Sequence, residues 1–254
     1  MPIARTIVSI AFLVASAAVQ AQSAPARSYA VLSLAGDALT LYVHRHQVGS
    51  RTESSPREVN PVEDQVFDQM AIIAARATLL RLQPGARLQL MTTQDRELYR
   101  AQNEMFERPD AQQENRAFLK TLLKEQGVTH ALVISKLRGN AELKLLNTTE
   151  GSGYLEGLGF YVDDMIETRN TKDQTYSRGM LAPFAYVRVR LVDAQTLDVI
   201  AEGSAKQSTI IARPSAESSG METFMTMTGT DKVKHLRSAL ESAMDSILPK
   251  VLAK

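Results

Sequence analysis

The residues of this chain best suited to metal or acid–base chemistry are its four histidines, His44, His46, His130 and His235. His44 and His46 stand two apart at the end of an apolar run. On a strand that spacing puts both imidazoles on one face, where a zinc or copper ion could use them. The acidic residues Asp163, Asp164 and Glu167 lie far downstream, and no recognised ligand spacing joins them to the histidines. Polar strand-end histidines are therefore expected, and no metal is assigned. Gly151-Ser152-Gly153-Tyr154-Leu155-Glu156-Gly157 is one residue off the glycine fingerprint that cradles a nucleotide phosphate. That fingerprint has meaning only between a strand and a helix N-terminus. A glycine-rich loop is expected instead, and no cofactor is assigned.

Gly36-Asp37-Ala38-Leu39-Thr40, after an apolar strand, resembles the nucleophile block of GDSL lipases and esterases. That chemistry needs a serine hydroxyl. Ala38 stands in its place, and no Asp-x-x-His near the C-terminus supplies a base. A Gly-Asp turn between strands is expected. No nucleophile, base and orienter can be assembled elsewhere, so the chain is expected not to be an enzyme.

Contact surfaces are better candidates. Tyr154, Leu155, Leu158, Phe160 and Tyr161 alternate with glycines in a stretch that breaks every regular pattern. Exposed, they would form a mobile apolar partner-contact loop; folded back, they would fill the core. Met221, Met225 and Met227 suit an adaptable contact surface, and a methionine copper site is a weaker alternative. Arg188 and Arg190 share one face of a strand near Asp193 and Glu202, which predicts a solvated, charge-paired sheet face, with an anion site as a minor alternative.

Several elements must position these groups. Residues 29–35 and 39–43 read as two strands of a hairpin turning at Gly36-Asp37. A helix is predicted from Pro61 to about Leu82, with Asn60 as N-cap and an apolar face of Val62, Val66, Met70, Ile73, Ala77 and Leu80. Residues 86–91 give a short strand, and 97–107 are weakly helical. A second helix over 113–126, with Phe118, Leu119, Leu122 and Leu123 inward, ends at Gly127. Residues 128–137 read as a buried strand turning at Gly139-Asn140 towards 142–146. Residues 147–181 and 212–229 are expected to be long loops. A hairpin of 186–192 and 199–209 lies between them, and a helix over 231–251 closes the chain. This order predicts an α/β fold, a mixed β-sheet packed with helices.

The first 21 residues read as a cleaved signal peptide: Arg5 supplies the basic start, Thr6–Val19 is apolar or small, and Val19-Gln20-Ala21 suits a signal peptidase. Residues 22–254 would then be a single α/β domain. The apolar stretch is too short for a comfortable membrane span, so no transmembrane anchor is expected. With no cysteine in the chain, a lipid-anchored lipoprotein is not expected either, and stability must come from packing. Without Arg5 the 29 basic residues become 28 against 28 acidic ones; with no Lys/Arg run, no nucleic-acid partner is expected. A periplasmic address follows, with secretion beyond the cell as the alternative.

Two segments carry a resemblance: Gly127-Val128-Thr129-His130-Ala131-Leu132-Val133-Ile134-Ser135 after a helix, and Val187-Arg188-Val189-Arg190-Leu191-Val192-Asp193-Ala194-Gln195-Thr196 before a return strand and final helix. The pattern is similar to the N-terminal domain of TolB and to envelope proteins of that superfamily, such as the curli secretion lipoprotein and activators of penicillin-binding proteins. Leu197 stands where their corner has glycine, and the lipid-acceptor cysteine is missing. The resemblance implies a TolB N-terminal-like fold and a non-enzymatic accessory or scaffold role, working through protein–protein contacts with an envelope partner. A periplasmic small-ligand-binding protein is the alternative.

Overall fold

The structure is a computed structural model that describes residues 27–44, 57–62, 64–144, 149–169, 176–211 and 219–253. The expected signal peptide and His46 lie outside them. The elements in chain order are β1 (Ser28–Ser33), β2 (Ala38–His44), β3 (Arg57–Pro61), α1 (Val66–Leu82), β4 (Arg87–Met91), α2 (Arg96–Ala101), α3 (Glu104–Glu107), a 3-10 turn (Pro109–Gln112) and α4 (Gln113–Glu125). They continue with β5 (His130–Lys136), β6 (Arg138–Asn140), β7 (Leu143–Lys144), β8 (Thr149–Glu150), β9 (Tyr154–Arg169), β10 (Tyr176–Asp193), β11 (Val199–Ser208), α5 (Gly220–Thr226) and α6 (Gly229–Leu252). The fold is mixed α/β in a single domain, as the element order predicts.

The sheet runs β3-β2-β9-β10-β5-β1-β4, and β11 pairs with β10 as well. Strand β10 is the spine. Its residues Tyr176–Tyr186 pair with β9, and Val187–Asp193 pair with β5, both antiparallel. β5 and β9 therefore lie end to end along one side of β10. The next line out repeats the arrangement: β1 is parallel to β5, and β2 is parallel to β9. It follows that β1 and β2 run in the same direction. The expected hairpin at Gly36-Asp37 is instead a break within one continuous strand line. The outermost line is split too, because β4 covers β1 and β3 covers β2, and each ends at the break.

Alternation along β10 sends its side chains to two different cores. Val187, Val189 and Leu191 face the larger one with α1 and α6, which also takes in Tyr29, Val31, Leu132 and Ile134. On the opposite face, Ala30, Leu32, Ala131 and Val133 meet Leu98, Met105, Leu119 and Leu123 of α2, α3 and α4. Tyr42, Leu155, Tyr161, Phe184 and Tyr186 form a third cluster beneath Ala141 and Leu143. Arg190 sits on this second face, only 1% exposed. Its Nε donates to Glu202 at 2.8 Å and its Nη1 to Asn103 at 2.9 Å, and the guanidinium lies 5.0 Å from the Phe106 ring centroid. The sheet face is charge-paired as expected, but Arg190 is not solvated. It pins α3 to the sheet.

Several sequence expectations are corrected here. The predicted loop over 147–181 contains most of the two longest strands, β9 and the first part of β10. Gly159 hides the strand because it serves close backbone approach rather than turning. A Cβ on Gly159 would sit 1.9 Å from the Thr40 carbonyl oxygen. The helix begins at Val66, and Asn60-Pro61 ends strand β3 instead of opening the helix. Gln65, in the left-handed region at φ 51°, makes the turn between them. The buried face of α1 is Phe67, Asp68, Met70, Ala71, Ile72, Ala74, Ala75, Thr78 and Leu79, so Met70 faces inward as predicted while Ile73 is exposed. Phe118 also points outward. In the expected loop over 212–229, the described part contains α5, with Met227 buried and Met225 exposed.

Gly159→Ala should therefore cost about 3 kcal/mol, the upper range for an overpacked site. The check is the midpoint of chemical denaturation. A midpoint unchanged from wild type would mean that β2 and β9 are not held at this spacing.

Candidate functional site

The break at Gly36-Asp37 opens a crevice of about 570 Å³ on the outer edge of the sheet. Five elements build it. The carboxyl ends of the parallel strands β1 and β4 point towards it, α1 starts beside it on one face, and α2 starts beside it on the other. Strand β3 ends there as well, so Pro61 and Val62 give an apolar wall. Asp37, Gln65, Thr93, Arg96 and Arg100 supply the polar lining. Crevices outside the carboxyl ends of strands, where the sheet changes direction, are where open α/β sheets bind ligands.

The deepest group beneath the crevice is Asp68, which has no exposed surface. Its Oδ1 accepts from the amides of Ala35 at 3.1 Å and Gly36 at 2.9 Å, and its Oδ2 accepts from the Tyr99 hydroxyl at 2.6 Å. One carboxyl group thus ties the broken strand line to α1 and to α2. A Cβ on Gly36 would lie 2.4 Å from the Asp68 amide nitrogen, so no other residue fits this approach. Burial pushes the Asp68 carboxyl above the ordinary carboxylate range, against hydrogen bonds from Ser33, Tyr99 and the Gly36 amide that favour the ion. Burial and the neighbouring Asp68 also push the Tyr99 phenol strongly up, so it remains a donor.

The walls are braced. Gln65 Nε2 donates to the Thr93 carbonyl at 2.9 Å, joining the start of α1 to the β4–α2 segment. Tyr99 also reaches that carbonyl, at 3.1 Å. Asp95 caps α2 by accepting from the amides of Glu97 and Leu98. Asp37 is paired with Lys136, and Arg100 with Glu97 on the rim. The exposed Arg96 side chain makes no hydrogen bond or ion pair among the described residues. The crevice is preformed, with one uncommitted guanidinium on its wall.

The groups singled out from sequence fare differently. His44 stands opposite Asp163 in the β2–β9 register, at the far end of β2 from the crevice. Asp164 accepts from the Met221 amide at 3.2 Å, which ties α5 to β9. His130, at the start of β5, has its Nδ1 2.8 Å from Thr129 Oγ1, and burial lowers its pKa. No group of three or more metal-capable side chains forms among the described residues. Gly151–Gly157 leads into strand β9 rather than a helix, so the phosphate-fingerprint geometry is absent there. Of the expected contact loop, Leu155, Leu158, Phe160 and Tyr161 are wholly buried, and Tyr154 is exposed over Arg138. Four of the five are core residues, because the stretch is a strand crossing the middle of the sheet. No sequence signal marked Asp68: periodicity puts the apolar face of α1 on Val66, Met70, Ile73, Ala77 and Leu80, opposite this carboxyl group, which the structure buries completely.

The chain matches no protein-family model and no curated protein. Among solved structures it is similar to the PelC dodecamer from Paraburkholderia phytofirmans, at 11% identity over 90% of this chain and 89% of that one, with a TM-score of 0.29. It is also similar to a homologue of the neuraminyllactose-binding hemagglutinin from Helicobacter pylori, at 6% identity over 85% and 81%, with a TM-score of 0.37. A third is lipoprotein GNA1162 from Neisseria meningitidis, at 13% identity over 82% and 98%, with a TM-score of 0.29. Likenesses this distant carry no argument about activity, which has to come from the residues of this chain.

The Asp68 network has a pH signature. A carboxyl whose folded pKa is raised favours the protonated state, so its contribution to stability is greatest below the unfolded value of about 3.9 and is lost as pH rises through the folded pKa. Asp68→Asn keeps an oxygen for both amides and carries no charge. It should leave thermal stability at neutral pH equal or higher, and flatten its decline above pH 4. Asp68→Ala should cost about 3 kcal/mol by stranding buried donors. A steeper pH decline in Asp68→Asn than in wild type would show that the carboxylate is the stabilised form.

Proposed function

We propose that this protein is a non-enzymatic accessory component of the bacterial cell envelope that works by binding a small ligand in the crevice beside the Gly36-Asp37 break. One observation carries the proposal: a braced, open crevice of about 570 Å³ at the carboxyl ends of two parallel strands. That volume lies within the usual range for small-molecule sites, roughly 300–1,000 Å³. Its lining is more polar than that of most small-molecule sites: Pro61, Val62 and the Tyr99 ring stand among Asp37, Gln65, Thr93, Gln94, Arg96 and Arg100. The envelope address is supported by the signal-like residues 1–21. No helix among the described residues is long and apolar enough to cross a membrane.

Absence of chemistry is part of the proposal. The polar atoms nearest the crevice floor, on Asp68 and Tyr99, are committed to each other and to backbone. Neither is a free nucleophile or base. Protein–protein contact through residues 154–161 is less well supported, since those side chains are mostly core. Small-ligand binding therefore stands ahead of scaffolding for this fold.

Thermal-shift measurements of residues 22–254 against small polar metabolites test the proposal, with Gln94→Trp as the blocking variant. Gln94 lines the crevice and is exposed, so the variant should melt like wild type. At least one compound should raise the wild-type Tm with the concentration dependence of single-site binding, and the rise should vanish in Gln94→Trp. A complete absence of shifts, or shifts that survive the block, would sink the proposal.

A further inference from the structure

The ligand class can be argued from the charges on the crevice, on the basis of the binding function proposed above. Of the four charged groups at its surface and floor, three are already answered. Asp37 is neutralised by Lys136. Arg100 has its nearest carboxylate in Glu97, at 2.7 Å on the rim. Asp68 is buried among dipoles and shifted towards its neutral form. Arg96 remains, on the crevice wall, with no carboxylate or carbonyl engaging it among the described residues. Its guanidinium presents five donors in a planar fork suited to a carboxylate or a phosphate.

Two further features act in the same direction. The 17-residue helix α1 starts at the crevice with no side chain capping it. Its first amides lack a side-chain cap, and the one acidic group of the first turn, Asp68, is buried and shifted towards its neutral form. Arg96 and Arg100 are one turn apart on α2, and both line the crevice, so a bound anion can meet a second guanidinium at the cost of a rim ion pair. Such exposed pairs contribute little. The apolar wall of Pro61 and Val62 faces the remainder of the volume.

We infer that the crevice takes a small organic oxyanion, a carboxylate or phosphate ester with a short apolar body, whose charged end sits on Arg96 and whose body lies on Pro61 and Val62. The carboxylate and phosphate forms share the same recognition chemistry and are separated by the probe used.

Isothermal titration calorimetry decides the matter, because phosphate raises the melting temperature of many proteins simply by exclusion from their surfaces. The probes are inorganic phosphate, glycerol 3-phosphate, succinate and butyrate, each against chloride at matched ionic strength, with the cation putrescine and neutral glycerol as opposites. Each is titrated into residues 22–254 and into the Arg96→Gln, Arg96→Lys and Gln94→Trp variants. At least one anion should bind wild type, weaken by about tenfold or more in Arg96→Gln, the loss expected of a charge-assisted pair, and be lost in Gln94→Trp. Arg96→Lys should recover part of the affinity, which a merely structural role for Arg96 would not produce. Phosphate-only or carboxylate-only binding identifies the group recognised. If putrescine or glycerol binds and the anions do not, and Gln94→Trp blocks that binding, the crevice is a ligand site but the oxyanion assignment is overturned. If no probe binds wild type, the oxyanion assignment falls, and the binding function then stands or falls on the metabolite screen. Anion binding that is equal in all four proteins overturns it as well.

Discussion

The architecture depends on one buried carboxyl group. A strand line that breaks without turning back leaves the Ala35 and Gly36 amides pointing where the next strand should be. Unpaired and buried, each would cost about 1–3 kcal/mol. Asp68 answers both. Because it is carried by α1 and also accepts from Tyr99 of α2, it fixes helices on opposite faces of the sheet to the same point of the backbone. The sheet can then continue past the break along β2 and β9, and the outermost strands can separate without exposing a ragged core. The crevice is the space this leaves open.

The same constraint explains two residues that no local propensity would select. Gly36 is needed because the α1 backbone comes within reach of any Cβ there. Asp68 occupies a helix position that hydrophobic periodicity assigns to the solvent side, and the structure buries it. Burying it costs solvation, which raises its pKa. What it secures is registry between three elements, a use for buried polar groups that hydrophobic packing cannot supply, since apolar contacts tolerate sliding. Arg190 has the same role at the other end of the second face, where one fork of donors joins α3, β5 and β11 through Asn103, Ser135 and Glu202.

How much of this was legible in the sequence follows from the range of each interaction. Elements whose signals are local were read correctly in kind: α4 with Gly127 at φ 60°, the β10–β11 hairpin, and the closing helix α6, capped by Thr228. The α/β class followed from their order. The errors fall where tertiary contacts decide. Pro61 and Asn60 have the chemistry of a helix start, but pairing with Ala38 and Leu39 holds them in a strand. Gly157 and Gly159 look like loop residues until Lys136 and Thr40 are brought against them. Leu197 adopts the left-handed φ of 60° at the position where the resembled families have glycine. Its burial against the second core compensates for the strain, and composition gives no sign of that. The crevice was invisible for a related reason: its walls come from residues 37, 61, 62, 65, 93, 94, 96, 99 and 100, which no spacing rule links.

What separates a binding crevice from a structural seam is whether its polar groups are used up. At the floor they are: Asp68, Tyr99, Gln65 and the Thr93 carbonyl form a closed set of mutual bonds. A closed floor makes the shape rigid, and rigidity lowers the ordering cost when a ligand enters. At the wall they are not, because Arg96 keeps its donors. Arg96 is exposed, and an exposed arginine alone is ordinary protein surface; its distinction is its place on the wall of an open volume. The division between a finished floor and an open wall is what the binding proposal rests on: the floor fixes the shape, and Arg96 leaves donors free at its edge.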